Sequence, residues 1–179
     1  MANTEKPTIL VVEDEADLNK LIVEILESES IQIESAKDGL EALEMLEKKP
    51  NISAILSDIH MPRMSGLELL KKLRAQFRPI PFVILTAYGN PQSMREAIQL
   101  NATDFLDKPF SGEELVKVAK KAIEYGEEIK KIEKDIEILY QNSGHKDAEF
   151  LKRVKRTTLN MRAENTIYVE NEKIKTRKT

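Results

Sequence analysis

Five short apolar runs punctuate the first 106 residues: TILVV (8 to 12), IQIESA (31 to 36), ISAILS (52 to 57), PFVILT (81 to 86) and the brief DFL (104 to 106). Each is followed by a segment whose apolar positions recur at helical spacing, so the chain reads as five βα units in about 125 residues. Helix starts are marked by side chains that can accept orphan N–H groups: Asp38 with Glu41, Ser65 with Glu68, Asn90 before Pro91, and Ser111 with Glu114. A second pattern begins at Leu115. Leu115, Val118, Ala122, Tyr125, Ile129, Ile132, Ile136 and Leu139 stand alternately three and four apart, a heptad without a break. At about 1.5 Å per residue a helix over that stretch is roughly 36 Å long, more than a helix needs to cover one sheet.

Strands this short and this apolar predict an α/β fold, a doubly wound, flavodoxin-like five-stranded parallel sheet covered on both faces. The predicted organisation is a domain over 1–125, a helical extension over 126–142 continuous with the fifth helix, and a basic segment over 143–179. Val116, Ala119 and Ile123 supply a stripe for the sheet, which leaves the heptad as a seam for a second partner. A coiled-coil homodimer is the reading preferred here, although Gly126 weakens the helix and Glu128 would face Glu133 in a parallel pair.

Composition excludes several chemistries. No cysteine is present and only two histidines, so disulfides, thiolate metal sites and histidine-built zinc sites are out. MANTEKPTILVVEDE turns apolar only briefly before meeting acids, so it reads as neither a signal peptide nor a membrane span, and a cytoplasmic protein is expected. The net charge of -3 is uneven: from His145 onward ten Lys/Arg stand against five Asp/Glu, and before it eighteen against twenty-six. An acidic body carries a basic tail.

In open parallel sheets ligands bind beyond the carboxyl ends of the strands. There the first strand ends in Glu13-Asp14, the third in Asp58 and the fourth in Thr86-Ala87, while the fifth leads into Asp107-Lys108-Pro109-Phe110. Clustered carboxylates repel one another unless a cation sits among them, and they offer only hard oxygens, which suits Mg2+. Lys108 adds a mobile charge for a phosphoryl oxygen and Thr86 a hydroxyl donor. The set points to phosphoryl chemistry with Asp58 as a carboxylate nucleophile that becomes an aspartyl phosphate.

The sequence resembles a response-regulator receiver domain of two-component signalling over about residues 6 to 125. The resemblance rests on the acidic pair after the first strand, D-x-x-M-P-x-x-x-G from Asp58 to Gly66, T-A at Thr86 and K-P-F at Lys108. It implies that Asp58 is the phosphoacceptor, that Asp14 and Asp58 ligate magnesium with the backbone carbonyl of His60, and that Glu13, where the family more often has Asp, acts through a metal-bound water. It further implies that Lys108 contacts the phosphoryl group across a Lys-Pro bond usually held cis, and that Thr86 and Phe105 are the switch pair. Singly, each residue has an ordinary reading: a helix N-terminus for Glu13 and Asp14, a loop acid for Asp58, a strand-end filler for Thr86, core for Phe105. Together at one sheet edge those readings fail.

His60 and Tyr88 follow Asp58 and Thr86 by two residues, positions that in such domains flank the path of hydrolytic water. Both are bulky, which favours slow autodephosphorylation. Past Asn142, Gly144 is a plausible helix stop, Phe150, Leu151, Val154 and Met161 permit a short basic helix, and residues 166–175 permit a hairpin. Nothing there forms a helix-turn-helix pattern or an enzyme motif. The expectation is a phosphoacceptor switch rather than an enzyme, partnered by a sensor histidine kinase or histidine phosphotransfer protein and by a downstream protein the sequence does not name. A DNA-binding transcription regulator, using the basic C-terminal segment or a truncated effector domain, is the alternative, with nucleic acid not favoured and no membrane partner. A dehalogenase-like phosphatase fits poorly, because His60 stands where its second acid belongs.

Overall fold

The structure is a computed structural model and describes residues 6–49, 51–76, 78–87, 91–142, 149–151 and 154. Strands and helices alternate in the order β1 (Thr8–Val12), α1 (Ala16–Glu27), β2 (Gln32–Ala36), α2 (Gly39–Lys48), β3 (Ile52–Asp58), α3 (Gly66–Ala75), β4 (Phe82–Thr86), α4 (Pro91–Gln99), β5 (Asp104–Asp107) and α5 (Gly112–Asn142). All strand pairings are parallel and the sheet order is β2-β1-β3-β4-β5, the doubly wound arrangement expected.

The period of two along each strand divides the core into two layers. Leu10, Val12, Ile55, Phe82 and Ile84 point to the face covered by Leu46 of α2, Leu69, Leu70 and Leu73 of α3, and Ala97 of α4. Their alternates Ile9, Val11, Leu56, Val83 and Leu85 pack against Ile22 and Leu26 of α1 and Leu115, Ala119 and Ala122 of α5. β1, β3 and β4 are therefore buried on both faces, which is why they read as continuous apolar runs.

Local capping behaves as the sequence predicts at the three described sites. Asp38 accepts from the Leu40 and Glu41 N–H groups, and Ser65 with Glu68 and Ser111 with Glu114 form reciprocal boxes. Asn90 lies outside the described residues, although α4 does begin at Pro91. Arg74 adds a staple with no local signal. Its guanidinium donates to the carbonyls of Leu100, Arg78, Ile80 and Asn101, tying the end of α3 to the entry of β4 and the exit of α4. Burial lowers its pKa to about 10.

The assignment of stripes on α5 needs correcting. Leu115 and Ala122, counted in the outward seam, are 0% and 1% exposed core residues with Ala119, while Val116 and Ile123 pack against that core as expected but are only partly buried. Over two or three turns a 3.5-residue repeat and the 3.6-residue face of a helix on a sheet differ by only about 20° per heptad, so the start of the heptad is the domain's own core stripe. The helix also runs through Gly126 unbroken, and the close approach of helix to strand there requires glycine: a Cβ would collide with the Ser53 carbonyl oxygen. The chain divides into two compact units, residues 1–127 and 128–179. In the second, Ile129 is buried, Ile132 and Ile136 are half-buried, and Leu139 is 69% exposed. Residues 149–151 and 154 are helical; the proposed stop at Gly144, Met161 and the hairpin over 166–175 lie outside the described residues.

Candidate functional site

The crevice forms where the strand order reverses, between β1 and β3. β1 hands on to Glu13 and Asp14, and β3 ends on Asp58. One carboxylate oxygen from each of Glu13, Asp14 and Asp58 lies within 4.8 Å of the others. They differ in exposure. Glu13 is 2% exposed, the Asp58 side chain 13%, and Asp14 opens to solvent.

Lys108, at the end of β5, reaches the same place. Its Nζ donates to Glu13 Oε2 at 2.7 Å and stands 3.5 Å from Asp58 Oδ2. Asp58 Oδ1 accepts from the Ile59 N–H at 2.7 Å, which leaves Oδ2 as the oxygen turned to the ammonium. Burial pushes the Glu13 carboxyl up; the Lys108 hydrogen bond and charge, together with the Glu15 N–H, pull it back without cancelling the shift, and the Asp58 charge adds to it. One ammonium against three carboxylates leaves the crevice short of positive charge. The donor set, oxygen only and chiefly carboxylate, fits a hard dication such as magnesium and offers nothing to softer metals.

Thr86 ends β4 and is 2% exposed, and its carbonyl accepts from the Lys108 N–H at 2.7 Å. The Lys108-Pro109 bond is cis. Phe105, paired with Ile84 across β4 and β5, is partly buried against the layer that contains α3 and α4. Thus Glu13, Asp14, Asp58 and Lys108 converge, with Thr86 and Phe105 on the two adjoining strands. His60 is exposed in the loop after β3, and Tyr88 lies outside the described residues.

The loop from Ile59 to Ser65 has supports that sequence reasoning missed. The Gly66 N–H donates to the Ile59 carbonyl at 3.0 Å, and a Cβ at Gly66 would meet the Asp58 carbonyl oxygen at 2.1 Å, so the glycine of the D-x-x-M-P-x-x-x-G pattern lets helix and strand end meet. The Gly39 N–H donates to the Met64 carbonyl at 3.0 Å, and Arg63 pairs with Asp38, its Nε 2.6 Å from Oδ2 and its terminal nitrogen on the same oxygen. Asp38 was visible in the sequence only as a helix cap.

The model of the response regulator receiver domain matches residues 9–120. Among curated proteins, the chain is 39% identical over 109 residues to the response regulator RppA of Synechocystis sp., covering 60% of this chain and 47% of that protein. It is 34% identical over 132 residues to the transcriptional regulatory protein FixJ of Bradyrhizobium diazoefficiens, covering 73% and 63%. Among solved structures, the chemotaxis protein CheY4 of Vibrio cholerae superposes with a TM-score of 0.62 at 31% identity, over 66% of this chain and 99% of that one. NtrX from Brucella abortus in complex with ADP gives 0.65 at 31% identity, over 72% and 29%. The chain spans about half the length of RppA and less than two thirds of FixJ. On its matched residues, its sheet order and its acidic crevice, the chain belongs to the response-regulator receiver family of two-component signalling.

Proposed function

We propose that this chain is a response regulator whose Asp58 accepts a phosphoryl group from a phosphohistidine on a sensor histidine kinase or histidine phosphotransfer protein. The observation that carries the proposal is the convergence of Asp58 with Glu13, Asp14 and Lys108 at one strand edge. The Asp58 carboxylate attacks phosphorus, the P–N bond to the donor imidazole breaks, and the imidazole leaves with a proton from solvent. Asp14, Asp58 and the His60 carbonyl would hold magnesium, with Glu13 acting through a water. When bound, magnesium supplies positive charge that offsets the carboxylates and the phosphoryl oxygens. Lys108, now on Glu13, swings to a phosphoryl oxygen of the aspartyl phosphate. Thr86 turns its hydroxyl to another oxygen and Phe105 turns inward as the switch. His60 and Tyr88 hinder attacking water, so autodephosphorylation is slow. The protein acts as a phosphoacceptor in the cytoplasm rather than as an enzyme on a separate substrate, and α5 passes the signal on through self-association or a docked protein. Among the described residues no helix is long and apolar enough to cross a membrane.

Labelling with a small phosphodonor or a phosphorylated histidine protein tests the site. Wild type should label only with magnesium, and Asp58→Asn should not label; acid-stable label retained in Asp58→Asn would refute the assignment. A second reading, a DNA-binding transcription regulator, is favoured by the names and extra length of FixJ and of the transcriptional regulatory protein CpxR of Escherichia coli, of which this chain covers 45%. Salt-dependent DNA binding by the full chain that is lost when residues after 142 are removed would support it.

A further inference from the structure

The loop after β3 contains a strained turn with an external fastening. The Met64 N–H donates to the Pro62 carbonyl at 2.6 Å across a single residue, Arg63, whose φ is 59°. A three-residue turn with positive φ at its centre is rare and strained for a residue that carries a Cβ, so something must oppose its relaxation. The Arg63 side chain supplies that opposition by gripping Asp38. Asp38 divides its oxygens: Oδ1 caps α2 through Leu40 and Glu41, and Oδ2 receives Arg63. It is 1% exposed, so losing Arg63 would strand a buried charge. The fastening also reaches the acidic edge. β2, which leads to Asp38, holds β1's exit through the Glu13 N–H on the Ala36 carbonyl at 3.0 Å.

We propose that Arg63 is a positioning residue: its ion pair with Asp38 fastens the Pro62–Met64 turn and with it the loop that carries His60, so that the His60 carbonyl stands ready for the metal beside Asp58. The proposal rests on the magnesium reading above. Outer groups that orient a ligand commonly change metal affinity by tenfold or more when removed.

The test is a magnesium titration of the full chain followed by backbone amide chemical shifts, without phosphodonor. Arg63→Ala should bind magnesium about tenfold more weakly. Asp38→Asn keeps a cap acceptor but loses the charge pair and should weaken binding similarly, and the double variant should be no weaker than either single one. Arg63→Lys should recover part of the affinity. Arg63→Gly suits the positive φ, and so remains informative even where Arg63→Ala folds poorly; with the strain relieved but the fastening gone, it should bind more tightly than Arg63→Ala and more weakly than wild type. Wild-type affinity in Arg63→Gly or Asp38→Asn, or full additivity in the double variant, would overturn the latch while leaving the metal site intact. A wild-type chain with no magnesium response would overturn the metal reading and the latch with it.

Discussion

A Cβ at position 66 would stand 2.1 Å from the Asp58 carbonyl oxygen and 2.8 Å from Ser57 Oγ, and the carbonyl belongs to a central strand that cannot swing aside as a side chain would. Gly66→Ala should therefore lower stability by about 1–3 kcal/mol, seen as a reduced urea midpoint, and should disturb Asp58 directly. An unchanged midpoint would show that the loop yields instead. Asp38 permits a prediction with a definite pH sign. Burial alone would raise its pKa, but the Glu41 N–H, Arg63 and the Leu40 N–H more than offset this and hold it below the ordinary value of 3.8. A lowered folded-state value contributes stability above 3.8 that disappears as pH falls through the folded value. The advantage of wild type over Asp38→Asn in urea denaturation should thus be steady at neutral pH and shrink below that point; a constant difference down to stronger acid would contradict it. Thr86→Ala, under the proposed switch, should still label at Asp58 while losing the effect of phosphate on partner binding or oligomeric state, because a phosphate shifts a population only by binding one state better. Equal phosphate-dependent changes in both proteins would remove Thr86 from the switch.

Among the elements, α5 gives the sharpest contrast between local and tertiary preference. Replacing a mid-helix glycine by alanine ordinarily gains about 1 kcal/mol of helix propensity. At Gly126 the added Cβ would meet the Ser53 carbonyl at 2.0 Å, beside the hydrogen bond from Ser53 Oγ to Glu127 Oε1 at 2.8 Å. Gly126→Ala should therefore destabilise the protein, and a raised urea midpoint would mean that helix and strand do not meet so closely. The same contrast marks what could be read from sequence. The five apolar runs fall within one residue of the observed strand ends, and Asp38, Ser65 and Ser111 cap as read, because strand period and capping are settled within a few residues. The carboxylate edge was legible for a related reason: the doubly wound topology sends every strand's carboxyl end to one side. What stayed hidden depends on crossings between distant elements. Arg63 meets Asp38, Arg74 meets carbonyls on two segments, and Gly126 meets Ser53 only after the sheet is assembled. Lys108 choosing Glu13 over Asp58 was equally hidden, since it turns on the reach of one side chain.

For the molecule as a whole, the proposed self-association now rests on a smaller surface than the heptad suggested. Leu115 and Ala122 belong to the domain core, Ile129 is 5% exposed, and Ile132 and Ile136 are half-buried within a single chain. Leu139 at 69% and Ile138 at 45% remain exposed on α5. Fully burying such a side chain contributes about 1.5–3 kcal/mol, whereas one or two exposed aliphatics are ordinary on a monomer. A symmetric pair covering Ile138 and Leu139 on both copies would therefore be weak and concentration-dependent rather than obligate. Sedimentation of the full chain should show a monomer–dimer equilibrium that shifts to monomer in Leu139→Asp while labelling at Asp58 continues. Position 139 suits this test better than 132 or 136, because a charge at those half-buried positions would disturb the single chain before it disturbed any assembly. A wild-type chain that stays monomeric at high concentration would assign the Ile129, Ile132 and Ile136 row to its own chain alone, and would leave a docked partner, rather than a second copy, as the route by which α5 passes the signal on.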